Sequence, residues 1–270
     1  MSLHKLSRNF DLGSSPGVSH INKFGENPVS PADTAEDVWS PGGTYSFPAT
    51  ALITSMSQTT NQAALLGAKI EIQGLDANWD MVVQTKALNA TNTTTVVTLA
   101  TPLIRVFRAK NLSLVVCDAQ IRIHNAGESV DYAVIDIGDN QTLMAIYTIP
   151  AGKTGYMTSY YCHNIDAGGK TPTATEVKLM AQNTTLGHAF AVKHEFGIPE
   201  AGPGVQHYFN PYYQFAEKTD IKVRTECLDQ DGNVHAGFDI ILIDNSERAA
   251  RPGADTLGLT GGALTIVNTS

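Results

Sequence analysis

A period of two constrains this chain more than any other feature. From about residue 46 onward, apolar and polar residues alternate in short runs. In Lys69-Ile70-Glu71-Ile72-Gln73 the two isoleucines face one way and the three polar side chains the other, which is the pattern of a half-buried antiparallel strand. Similar runs recur with polar turns between them, about every 8–12 residues, and no long stretch repeats every 3.6 residues, so a helical domain is excluded. Threonine, β-branched and at home on a pleated surface, occurs 28 times against 18 for Lys and Arg together. The expectation is an all-β chain, a β-sandwich or jelly-roll-like domain. Hairpins are expected from residues 69–73 to 79–85, from 176–182 to 188–196, and from 220–225 to 236–243. The last spans Asp229-Gln230-Asp231-Gly232-Asn233, because Asp-Gly between alternating runs is a strong hairpin signal. Pro150-Ala151-Gly152-Lys153 is expected to make a tight turn of the same kind, and residues 112–116 a short strand. Residues 57–66 read equally as a short helix or a loop.

The two ends break the pattern. Residues 1–45 scatter Pro, Gly, Ser and Asn without periodicity, yet carry the apolar anchors Phe10, Ile21, Phe24, Val38 and Trp39. They are read as an extended arm, packed on a neighbouring subunit or wrapped on its own domain. Residues 46–245 form the β-sandwich region, with two subdomains splitting near 140 as a variant of that division. Residues 246–270 form a C-terminal tail, whose patch Leu264-Thr265-Ile266-Val267 can add a strand to a neighbouring sheet. Phe10, Ile21, Phe24, Val38, Trp39, Leu264 and Ile266 are thus the expected subunit-interface residues.

Composition removes several function classes. With 18 basic and 26 acidic residues the net charge is −8, so the chain repels phosphate backbones, and it has no Lys/Arg stripe to override that. Apolar runs are short, well under the roughly 20 residues a membrane helix needs. The first residues lead into no apolar run, so no signal peptide is expected and the chain is read as soluble and made in a cytoplasm. Cys117, Cys162 and Cys227 lie far apart, against a disulfide framework or a zinc site. Pro150-Ala151-Gly152-Lys153-Thr154 ends like a phosphate loop, but Tyr147 stands where the earlier glycine is needed. Asp229, Asp231 and Asn233 alternate like calcium ligands, but Val234 and Ile240 stand where a calcium loop has Gly and Glu. Cys162 and His163 point to opposite faces of a strand, and His124 falls at an exposed position of its run. No catalytic, metal or cofactor-binding residue is expected, no cofactor is implied, and the chain is read as no enzyme. Tyr208-Phe209-Asn210-Pro211-Tyr212-Tyr213-Gln214-Phe215 reads either as a contact loop, with Tyr208, Phe209, Tyr212 and Tyr213 as its contacts, or as a long loop packed on the core.

Several stretches together resemble a known group. Phe24-Gly25-Glu26-Asn27-Pro28, Thr34-Ala35-Glu36-Asp37-Val38-Trp39, Gly42-Gly43-Thr44-Tyr45-Ser46-Phe47-Pro48, Ile72-Gln73-Gly74-Leu75-Asp76 and the run from Asn140 to Thr154 are similar to virion structural proteins of marine tailed bacteriophages. So are the run from Glu217 to Arg224 and Ala236-Gly237-Phe238-Asp239. The resemblance spans about residues 24–245. It implies a β-rich, non-enzymatic particle component present in many copies, assembled in the host cytoplasm into the virion. The expected role is capsid decoration or cement, as a homo-oligomer bound through its ends to copies of itself and to major capsid or neck and tail proteins. The alternative is a neck or tail accessory protein, or a receptor- or carbohydrate-binding module of the virion.

Overall fold

The structure is a computed structural model and describes residues 16–200 and 203–249. The strands in chain order are β1 (Val18–Ser30), β2 (Glu36–Asp37), β3 (Ile53–Gln58), β4 (Lys69–Leu75), β5 (Met81–Ala87), β6 (Val97–Leu103), β7 (Arg105–Asn111), β8 (Ile121–His124) and β9 (Asp131–Ile135). They continue with β10 (Ile146–Thr148), β11 (Lys153–Asp166), β12 (Ala174–Asn183), β13 (Ala191–Pro199), β14 (Val205–Phe215), β15 (Thr219–Leu228) and β16 (Gly232–Asp244), before a one-turn helix α1 (Asn245–Ala249). Residues 57–66 hold the end of β3, a loop and one 3₁₀ turn, Ala63–Leu65.

The fold class expected from the alternation holds: the chain is all-β and sandwich-like. β1, β10, β11 and β12 pair with β16, β15, β14 and β13 respectively, like one long hairpin. That ribbon rolls into two sheets, β1-β16-β11-β14 and β10-β15-β12-β13, with β2 adding to β15. Two four-stranded sheets with this winding are a jelly roll. Strand β12 shows why the residues choose it: Thr175, Val177, Leu179 and Ala181 are buried while the residues between them are half-exposed. They meet Ile221 and Val223 of β15, and Tyr160, Phe238, Ile240 and Leu242 of the facing sheet, in one core.

Between β2 and β10 the chain inserts a second sandwich, sheets β6-β3-β8-β9 and β5-β4-β7, around Ile53, Met56, Ile70, Ile72, Ile121 and Ile123. The expected division near residue 140 falls at the C-terminal boundary of this insertion, but residues 18–37 belong with the strands after 145. The two cores interlock: Leu75, Ile104 and Phe107 of the inserted sandwich pack into the jelly-roll core, and Trp39 and Met144 into the other.

One local expectation is decided and three are corrected. Residues 16–45 take the second placement expected for the arm, wrapped on their own domain, and do so as strand: β1 pairs with β16 along almost its whole length and β2 pairs with β15. The turns at 150–153 and 229–233 make no hairpins; each carries the chain from one sheet to the facing one. Residues 112–116 are a loop, held by Asn111, whose Nδ2 donates to the Val115 carbonyl at 2.8 Å. Residues 208–215 are strand rather than loop, part of β14.

Candidate interaction surface

The jelly roll has two flanks where its sheets end. On one, the inserted sandwich closes the gap between β1 and β10. Gly25 permits this closure: a Cβ there would come within 2.3 Å of the Ala145 nitrogen, and the Met144 N–H donates to the Phe24 carbonyl at 3.0 Å. Arg105 of β7 crosses the junction to Asp220 of β15, with Nε donating to Oδ1 at 2.7 Å and Nη2 to Oδ2 at 2.8 Å. Its guanidinium lies over the rings of Phe47 and Trp79. Asp220 also accepts from Thr148, Gln182 and Thr184. Beside it Lys222 donates to Asp37 at 2.8 Å.

On the other flank β13 and β14 are edge strands, each paired on one side only among the described residues. Rings bridge the two sheets here. His194 of β13 stacks on His207 of β14 with centroids 3.9 Å apart, Tyr160 of β11 shares a 2.7 Å hydrogen bond with His194 Nδ1, and Tyr160 stacks on Phe209. Burial, and after it His207, holds the His194 pKa below its ordinary value, which favours the neutral ring. Burial pushes the Tyr160 phenol well above its ordinary range. Between the pairs Ser159↔Tyr208 and Met157↔Tyr213 the ladder is interrupted, and residues 209–212 bulge from it. Outside, β14 presents Tyr208, 68% exposed, and Tyr212, 36% exposed. At the end of this flank a groove of about 350 Å³ is lined by Gln182, Asn183, His188, Lys193, Tyr213 and Gln214.

The expected site residues therefore separate. Tyr208 and Tyr212 are surface groups, whereas Phe209 belongs to the core and Tyr213 packs against it. Val38, fully buried, and Trp39, 7% exposed, fill the protein's own cores, so neither serves as a neighbour's anchor. Ile21 packs half-buried on the jelly-roll core, and Phe24 is half-buried with its backbone committed to Met144. Phe10, Leu264 and Ile266 lie outside the described residues.

The Ser57–His124 pair and the three cysteines are enclosed. His124, expected at the surface, is fully buried at the end of β8, where the β8–β9 register shifts between Ile123 and His124. Its Nε2 lies 2.9 Å from Ser57 Oγ and its Nδ1 2.7 Å from the Asn125 carbonyl. This resembles a nucleophile–base pair, yet both side chains are fully buried, out of a substrate's reach. All three cysteines are free and buried, and burial raises each thiol's pKa, away from the reactive thiolate. Asp231 is engaged by Lys170 at 2.6 Å and the Ala32 N–H at 3.1 Å, and Asp229 by Thr173 at 2.7 Å.

Sequence reading missed His194, His207 and the Arg105–Asp220 pair. The available signal was Arg105 inside the apolar run Leu103-Ile104-Arg105-Val106-Phe107, a charge that burial obliges to find a partner.

No family model matches the chain, and no curated protein matches it. Among solved structures it has a distant likeness to the crystal structure of infectious bursal disease virus VP2 subviral particle. The identity is 12%, the alignment covers 88% of this chain and 74% of that chain, and the TM-score is 0.16, a level that carries no argument about fold or function.

Proposed function

We propose that this chain is a non-enzymatic structural subunit of a bacteriophage virion, fastened to copies of itself and to capsid or neck and tail proteins. The observation that carries the reading is the open β13–β14 flank, two edge strands that no further strand pairs among the described residues, with Tyr208 and Tyr212 exposed. Exposed edges are templates for strand addition, and burying one tyrosine ring in such a contact contributes about 2 kcal/mol, multiplied by valency in a lattice. The jelly roll itself is a frequent capsid architecture, an argument by fold analogy only. The likeness to marine phage structural proteins and the acidic charge suit a shell-decorating position, away from packaged DNA. Residues 246–270 are the donor candidate for the open edge, by sequence alone.

The test is the oligomeric state of the full chain by sedimentation, together with its copy number in purified particles. Tyr208→Lys with Tyr212→Lys is expected to reduce self-association and incorporation at least tenfold while the fold is retained. A wild-type chain that stays monomeric and is absent from particles overturns the reading. The groove beside Tyr213 favours a second one, a carbohydrate- or receptor-binding module. In that case Tyr213→Ala and Lys193→Ala abolish glycan or host binding and leave assembly intact.

A further inference from the structure

Three long cationic side chains are almost fully buried among the described residues: Arg105, Lys222 and Lys23, at 2%, 3% and 2% exposure. Two show how this fold buries a cation. Arg105 has Asp220 and Lys222 has Asp37, both carboxylates fully buried themselves. Lys23 of β1 has no carboxylate within ion-pair distance among the described residues; its Nζ donates to the Phe107 carbonyl, which leaves two N–H groups to satisfy.

Lys23 lines a small cleft of about 80 Å³ where β1, β7 and β10 meet, together with His20, Gln73, Arg108 and Tyr147. The Tyr147 hydroxyl is buried and has no hydrogen-bond partner. Arg108 donates through Nη2 to the Asn22 carbonyl at 2.8 Å; Glu71 acts on it electrostatically but forms no ion pair with it. A buried lysine amine, whose pKa burial and then Arg108 hold well below its ordinary value, an orphaned hydroxyl and the Arg108 guanidinium thus line one space. The buried amine and hydroxyl cost free energy unpartnered, and one acceptor of negative charge would engage both together with Arg108.

We propose that this cleft binds a small oxyanion, a carboxylate or a phosphate, between Lys23, Tyr147 and Arg108. The site lies at the junction of the two sandwiches, remote from the open flank, and does not rest on the proposed virion role. A bound anion would clamp β1 to β7 and β10, adding to the closed flank a charge pair of the kind found at Arg105 and Lys222.

The experiment is thermal unfolding of the full chain at constant ionic strength, with chloride replaced stepwise by inorganic phosphate or by acetate. A saturable rise in melting temperature is expected with at least one of them. Response to phosphate alone assigns a phosphate ligand, and response to acetate alone assigns a carboxylate, such as a side chain of a second copy. Lys23→Met, matched in length, is expected to abolish the rise and to melt no lower than wild type without the anion. Tyr147→Phe removes one hydroxyl and is expected to weaken binding about five- to tenfold, one hydrogen bond's worth; it carries the test if Lys23→Met fails to fold. Equal shifts in wild type and both variants, or none beyond chloride, overturn the proposal and leave water as the occupant.

Discussion

Along the β1–β10 flank of the jelly roll, backbone meets backbone through Gly25, a buried ion pair crosses from β7 to β15, and two apolar cores interlock. Along the β13–β14 flank the sheets are joined by half-exposed rings, and among the described residues the outward edges have no pairing strand. The same sandwich thus finishes one side with its own insertion and leaves the other open among the described residues. A buried ion pair fixes geometry because losing one partner strands the other charge, whereas stacked rings at the surface can part at lower cost. The closed flank is built for permanence; the open flank is where the proposed association would take place.

Breaking the closed flank has the largest expected effect. Arg105→Met leaves Asp220 buried without its cation and should cost about 3–5 kcal/mol in denaturant unfolding; a loss under about 1 kcal/mol would show that the pair does not hold the flank. Gly25→Ala pushes a methyl group against the Ala145 backbone and should cost about 1–3 kcal/mol, read the same way. On the open flank the sharper probe is pH. Burial, then His207, lowers the His194 pKa in the folded chain from 6.5, so near that pH the unfolded chain binds more protons. Stability should therefore hold above that value, decline as pH falls through it, and level off below the folded pKa. His194→Phe keeps a ring in the stack and should flatten the melting temperature between pH 5 and 7 relative to wild type; an unchanged slope places the titration elsewhere. Smallest is Tyr208→Lys, expected to move stability by no more than about 0.5 kcal/mol and to act on self-association alone.

Strands whose fate is decided locally were legible. Alternation located β4 and β5, β12 and β13, and β16, since one face of each meets a core and the other meets water. β1 was hidden because its inward positions carry Lys23, Gly25 and Asn27, residues suited to a crowded polar junction rather than an apolar interior. The turn at 229–233 could not be resolved from its residues, because Asp-Gly specifies a reversal but not whether the returning strand joins the same sheet or faces it. Of the interaction surface, the tyrosines of β14 stood out by composition. The division of the four rings into two exposed, Tyr208 and Tyr212, and two packed, Phe209 and Tyr213, did not, because the bulge at 209–212 resets the alternation. His194 and His207 lie on separate strands, and only the rolled ribbon brings them together.

The pairing of Val18 with Ile243 and of Asn27 with Val234 has a consequence for how a ribosome delivers this chain. Among the described residues the first strand is completed by the last, so β1 waits for its partner through the synthesis of some 200 further residues. Residues 53–135 are contiguous and can condense during that interval, as local contacts form sooner than distant ones. The insertion would then be finished before the jelly roll closes, a scaffold already in place when the C-terminal strand emerges.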